Sequence, residues 1–182
     1  SGLKGGALRA FVLAVGSHGT ALGQAAPSVS VASGNTTTYV APNGVTVVNI
    51  ATPNAAGLSH NRYSNYDVNA NGLVLNNGNS EQMARQSQLA GQVMANMNLT
   101  AQAGVILNEV VAAKRSTLAG FTEVLGGKAD VIVANPYGIT CSGCGFINTD
   151  RVVLTTGNPY LAANGGLGGF SASARFMAAI AP

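Results

Sequence analysis

Between Leu73 and Thr156 the chain repeats one kind of unit. A few apolar or β-branched residues are closed off by Gly, Asn or Pro. Leu73-Val74-Leu75, Val105-Ile106-Leu107, Val131-Ile132-Val133 and Val152-Val153-Leu154 recur at a period of roughly twenty to thirty residues. Val45–Ile50 and Phe121–Leu125 are further runs of this type. Short β-branched runs bounded by turn residues read as strands. Such a period suits a solenoid in which each turn of chain buries its face on the next. A β-sandwich also shows frequent turn signals, so periodicity leaves both architectures open. Asn76, Asn108, Asn135 and Asn148 stand near strand ends. There they fit stacked turns with side chains bonded from rung to rung.

Composition points the same way. Charged residues are 8% of the chain against about 25% in ordinary domains. Apolar residues are 47%, which excludes a disordered chain. Helix formers such as Glu and Lys are scarce, while Gly, Asn and β-branched residues are common. No Asp, Glu, Lys or Arg falls between Ala10 and Asn61, and no basic cluster exists. The sequence gives nucleic-acid binding no support and fits an extracellular or cell-envelope β protein. Ser80–Ala95 (SEQMARQSQLAGQVMA) has helix formers and reads as a helix or as a loop with a helical turn that interrupts the solenoid.

Residues 1–26 form a separate segment. Lys4 and Arg9 lead into the run Ala10–Val15, and small residues end it at Ala25-Ala26. That pattern describes the tail of a secretory signal peptide, too short to span a bilayer. A short buried helix or strand is the alternative. The signal reading places folding where disulfides can form.

Chemistry-bearing residues are few. Ala134–Phe146 reads ANPYGITCSGCGF and holds both cysteines. Asn135-Pro136-Tyr137-Gly138 suits a type I turn position by position. Ala41-Pro42-Asn43-Gly44 and Asn158-Pro159-Tyr160 echo it, and the turn would join Val131–Val133 to a strand pair with Phe146–Thr149. A redox CxxC needs a helix N-terminus to activate its thiol, and here a strand-like run follows Cys144. A zinc site needs further ligands, yet His18 and His60 are distant from the pair. A disulfide between Cys141 and Cys144 is the simplest reading; free thiols or a redox or metal role are the alternatives. The six acids are Asp67, Glu81, Glu109, Glu123, Asp130 and Asp150, and no two are placed together. No nucleophile elbow, P-loop or dinucleotide fingerprint is present. The residues of Gly57–Tyr63 read as holding a loop. Nothing here points to an enzyme, a metal or a cofactor.

Several blocks, in order, resemble one family. They are Val48–Asn61 (VNIATPNAAGLSHN), Tyr66-Asp67-Val68, Gly72–Asn77, Val105–Val110, Leu118-Ala119-Gly120, Ala129–Ile139 and Leu154–Gly157. Over about residues 39 to 161 the chain resembles the two-partner secretion domain of the filamentous haemagglutinin family, also called the haemagglutination activity domain. That domain stands at the N-terminus of large adhesins, haemolysins and contact-dependent inhibition toxins. Its two signature tetrads are Asn-Pro-Asn-Gly and Asn-Pro-Asn-Leu. The first matches Asn135, Pro136 and Gly138 of this chain, with Tyr137 replacing Asn, and Ile139 follows. The second matches Asn96, Asn98 and Leu99, with Met97 replacing Pro and removing a fixed φ from that loop. Some members carry a CxxC where Cys141 and Cys144 stand.

The resemblance implies an all-β, right-handed parallel β-helix with a capped N-terminal end and extra-helical strands. It favours the solenoid over the sandwich. The implied organisation is a signal-peptide remnant at 1–26, the secretion domain at 27–165 and an atypical tail at 166–182, where strand alternation is poor. The implied function is secretion targeting. A partner outer-membrane β-barrel transporter would recognise the domain through its periplasmic domains and export it to the cell surface. A host or neighbouring-cell receptor would then be met by the exported protein. The two signature tetrads are the candidate recognition motifs. A β-helical enzyme acting on polysaccharide and a stand-alone glycan-binding adhesin are the rival readings.

Overall fold

The computed structural model describes residues 25–172, which contain strands and no helix. The signal-peptide segment, His18 and the end of the tail lie outside these residues, apart from Ala25 and Ala26. The chain opens with β1 (Val29–Ser33) and β2 (Thr37–Val40), then coils into stacked rungs. The first rung holds β3 (Thr46–Asn49) and β4 (Leu58–Tyr66). The second begins with β5 (Leu73–Asn77) and makes an excursion through β6 (Ala84–Ser87) and β7 (Gly91–Met94). It then returns as β8 (Val105–Val110) and β9 (Ser116–Leu118). The third is β10 (Phe121–Gly126), β11 (Asp130–Ala134) and β12 (Ile139–Cys141). The fourth is β13 (Gly145–Ile147) and β14 (Val152–Thr155). A last hairpin, β15 (Asn158–Leu161) and β16 (Leu167–Ser171), follows.

Stacking generates three parallel sheets. β4, β8, β11 and β14 make one face, β3, β5, β10 and β13 a second, and β9 and β12 a third. We call them faces A, B and C. The architecture is a parallel β-helix. At its first end β1 pairs antiparallel with β4, and β2 antiparallel with β3. These strands occupy ladder edges that would otherwise be open, and two register shifts in β1 distort its own edge.

The apolar runs follow from where they lie. Alternate residues of a strand face opposite sides. Inward, Val48, Leu75, Val124, Ile106 and Val131 meet in the solenoid core. Outward, Val47, Val74 and Leu125 on face B pack beneath Leu89, Ala90 and Val93 of the first hairpin. Leu58, Leu107 and Ile132 on face A pack beneath Leu167 and Phe170 of the second. Burial on both sides explains continuous rather than alternating apolar runs.

Several sequence readings need correction. Ser80–Ala95 is a β-hairpin, because its apolar residues have to cover face B and local helix propensity is weak against that burial. Gly57–Tyr63 is mostly strand β4, whose polar side chains are drawn into the ladder. Val131–Val133 and Phe146–Thr149 are not a strand pair. The first lies in β11 between β8 and β14, and Gly145–Ile147 pairs with β10. In a solenoid, successive strands occupy different faces. Asn158-Pro159-Tyr160 lies in β15 and not in a turn, on a two-stranded sheet where a proline is tolerated at the edge. In the tail, Leu167–Ser171 is a strand despite its weak alternation. The turn before it reaches back to the first rung, where Asn54 Nδ2 donates to the Gly165 carbonyl at 2.6 Å.

Buried asparagines tie the rungs. Asn61 donates to the Leu107 carbonyl one rung on, and Asn108 to that of Ile132 in the next. Asn76 donates to Asn49 Oδ1, and the exposed Asn148 adds a bond to the Val124 carbonyl. Asn108 Oδ1 also accepts the Tyr63 hydroxyl at 3.0 Å. Burial, and secondarily Tyr66, hold the Tyr63 phenol well above its ordinary range, so it stays a donor. Asn77, fully buried, donates to the carbonyls of Ala103 at 2.9 Å and Gly127 at 2.7 Å, and accepts the Ala103 N–H at 2.8 Å. Replacing Asn77 by Ala would leave these backbone groups unpaired inside the corner. The expected loss is about 3 kcal/mol, read as a lowered midpoint in urea unfolding; an unchanged midpoint would remove the corner bonds from the account of stability.

Candidate functional site

Asn135 follows β11, where the chain turns from face A towards face C. Its carbonyl accepts the Gly138 N–H at 3.1 Å and its Oδ1 accepts the Tyr137 N–H at 2.9 Å. This is the turn that the sequence implies, with Pro136 at its second place. The same side chain does more. Its Nδ2 donates to the Lys114 carbonyl at 2.8 Å and to Ser116 Oγ at 2.9 Å, in the rung below. Its N–H donates to the Thr155 carbonyl in the rung above at 2.9 Å. Gly138 has φ 116°, where a side chain is strained, and an added Cβ would sit 3.1 Å from the Arg115 guanidinium carbon. Ile139 opens β12 and packs, half buried, against the core.

The second tetrad repeats the device. The Asn96 carbonyl accepts the Leu99 N–H at 3.2 Å, and its Oδ1 accepts the Asn98 N–H at 3.0 Å. Asn96 Nδ2 donates to the carbonyls of Ile50 at 2.9 Å and Asn76 at 3.0 Å. Asn98 Nδ2 donates to those of Asn35 and Ile50, while Thr52 Oγ1 donates to the Asn98 carbonyl at 2.6 Å. Leu99 is buried in the core. The missing proline therefore leaves the loop fixed, because asparagine bonds to the first rung hold it. Met97 projects from this turn 81% exposed.

The two tetrads stand at different corners. Asn96 lies on the passage from face B to face A, and Asn135 on that from face A to face C. The structure does not bring them together in one pocket. Two further turns of the same form escaped the sequence reading. Asn54 and Asn69 accept the N–H two residues on through Oδ1, and their carbonyls accept the N–H of Gly57 and Gly72. The spacing Asn-x-x-Gly was the available signal. These two asparagines are exposed, whereas Asn96 and Asn135 are buried and reach neighbouring rungs.

Cys141 and Cys144 are joined as a disulfide, Cα to Cα 5.3 Å, at the corner between β12 and β13. The Ser142 N–H between them donates to the Leu118 carbonyl at 2.9 Å, and Cys144 packs on the core. Four of the six acids make contacts within the scaffold, Glu123 among them. Asp67 accepts the Thr117 N–H at 2.8 Å, and Asp150 pairs with Lys128 at 3.0 Å. Glu109 meets His60 at 2.6 Å and Arg62 at 3.6 Å. His60 is thus not isolated: strand register brings β4 beside β8. Among the described residues no three metal-capable side chains gather.

A parallel β-helix with a strand cap, two covering hairpins and rung-tied asparagine turns defines a class of capped β-solenoid module. The chain belongs to the TPS secretion domain family, whose model matches residues 23–180. It is 58% identical over 137 residues to the 16S rRNA endonuclease CdiA of Enterobacter cloacae, covering 74% of this chain and 4% of that protein. It is 56% identical over 129 residues to the toxin CdiA of Escherichia coli, covering 70% and 4%. It is 48% identical over 150 residues to the hemolysin of Proteus mirabilis, covering 82% and 9%. Among solved structures it is similar to the filamentous hemagglutinin secretion domain, at 42% identity and a TM-score of 0.70. That match covers 76% of this chain and 45% of the other. The chain thus spans less than a tenth of the curated relatives named here. It is a secretion domain of the type carried by these exported proteins.

The geometry separates the asparagines from the residue that replaced proline. Asn96→Ala is expected to cost about 2–3 kcal/mol, and Met97→Ala less than about 0.5 kcal/mol, by urea unfolding. Equal losses would place the rigidity of the turn elsewhere. For the cysteines, nonreducing mass spectrometry of the exported chain should show one peptide lighter by the paired thiol hydrogens. Two alkylated thiols would contradict the bond.

Proposed function

We propose that the domain is read by a partner outer-membrane β-barrel transporter, through the transporter's periplasmic domains, and directs a larger polypeptide across the outer membrane. The polypeptide is an adhesin, haemolysin or toxin at the cell surface or outside the cell, and contact with a host or neighbouring-cell receptor belongs to it. The secretion domain itself performs no catalysis and binds no nucleic acid. The observation that carries this reading is the fixing of both signature turns by buried asparagines within a secretion-domain fold. A turn bonded to the rungs on either side presents one surface and not an ensemble, and pre-organisation lowers the cost of recognition.

The composition fits the journey. Few charges need to be moved, and among the described residues no helix is long and apolar enough to cross a membrane. Extended segments of the larger polypeptide outside this domain can be offered to the transporter by strand addition before they fold. Folding of those segments outside then opposes return. The enzyme and glycan-binding readings gain no support from the acids, four of which make contacts within the scaffold.

A reporter fused after residue 182 should be exported only when the cognate transporter is co-expressed. Asn135→Ala should lower export, because the change removes bonds worth about 1–3 kcal/mol that hold the turn to the rung below. Tyr137→Asn should be exported normally, since either residue suits that turn position. Secretion yield and far-UV circular dichroism would check both. Normal export and folding of Asn135→Ala, or failure of Tyr137→Asn, would overturn the role given to this turn.

A further inference from the structure

Glu123 is a carboxylate in an unexpected place. It lies in β10 on the outer side of face B, 3% exposed. Among the described residues no cation comes within ion-pair distance of it. Three donors meet it instead, all from one stretch of the first hairpin. Ser87 Oγ donates to Oε2 at 2.6 Å, the Gln88 N–H to Oε1 at 3.0 Å, and the Leu89 N–H to Oε2 at 3.1 Å. Ser87 Oγ in turn accepts the Ala90 N–H at 2.9 Å. The tip of the hairpin is wrapped around this carboxylate. A buried charge without a counter-ion requires such donors, and bonds to a charged acceptor are the stronger kind.

The other end of the hairpin is joined to a signature turn. The Ala95 N–H donates to the Met83 carbonyl, and the Asn96 N–H to that of Gly78, both at 2.8 Å. Asn76 Nδ2 donates to the Met94 carbonyl at 2.9 Å. The hairpin is therefore an arm, rooted at Asn96 and fastened at its tip by Glu123. Between these ends it lies on Val47, Val74 and Leu125.

We propose that Glu123 is a positioning residue for transporter recognition: its carboxylate keeps the arm docked on face B, and the docked arm holds the Asn96–Leu99 turn in the form that is read. This rests on the transporter reading given above. Glu123→Gln preserves shape and one acceptor oxygen but, in either orientation, turns an amide donor toward one backbone N–H, that of Gln88 or that of Leu89. It weakens the fastening without opening a cavity.

Hydrogen exchange followed by mass spectrometry tests the arm, with Leu75→Ala as a general destabilisation control. In Glu123→Gln, amides of residues 84–94 should exchange about tenfold faster or more, while those of β8 and β11 are unchanged. Leu75→Ala should speed exchange throughout. Binding of the folded chain to the isolated periplasmic domains of the cognate transporter should weaken by about tenfold or more in Glu123→Gln. Uniform acceleration, or an arm that stays protected, would overturn the proposal. An arm that opens while binding is unchanged would also overturn it and leave the transporter reading standing. Failure of the unaltered chain to bind would overturn both.

Discussion

An asparagine carboxamide buried at a corner of this solenoid has donors and an acceptor to satisfy, with no water to do it. The surrounding corner has the converse need, because a chain that bends leaves backbone groups outside the ladders. Each solves the other. Asn77 joins Ala103 and Gly127, Asn96 joins Ile50 and Asn76, and Asn135 joins Lys114 and Ser116. The bonds to Gly127, Ile50, Lys114 and Ser116 run between rungs, so they fix how far and in what register one rung sits on the next, while those to Ala103 and Asn76 close corners within the second rung. Were they lost, parallel ladders could still form, but corners would carry unpaired polar groups of the kind that folded proteins rarely tolerate.

The second constraint is apolar surface. The strands of faces A and B bury side chains inward and also present them outward. A bare β-helix of this sequence would expose Val47, Val74 and Leu125 on one side and Leu107 and Ile132 on another. The two extra-helical hairpins cover these faces. The covers are held by polar fastenings as well as by packing: Glu123 at the tip of one, Asn54 at the turn of the other. Whatever these covers carry inherits the rigidity of the solenoid beneath them.

Local signals account for what could be read in the chain. Short β-branched runs between turn residues marked the parallel ladder strands of faces A and B other than β4, since neither their length nor their composition suits a helix. Asn135-Pro136-Tyr137-Gly138 announced its turn because all its determinants lie within four residues. The cysteine pair was legible for the same reason. The helix formers of Ser80–Ala95 misled because their fate is decided by face B, which is assembled from residues on both sides of them in sequence. His60 looked isolated because Glu109, its partner, is brought beside it only by the pairing of β4 with β8.

The sequence by itself determined those ladder strands, the Asn135–Gly138 turn and the family blocks, because these depend on residues close together along the chain. Period alone left solenoid and sandwich open; the resemblance favoured the first, and parallel stacking of three faces established it. Tertiary structure alone decided that Asn96 and Asn135 fasten rungs while Asn54 and Asn69 do not. It alone made Glu123 a buried anchor and Leu167–Ser171 a cover for face A. The physical reason is that burial and hydrogen-bond partnership are properties of the stacked rungs, whose bonded neighbours, such as Asn135 and Ser116 or Asn108 and Ile132, are far apart in the chain.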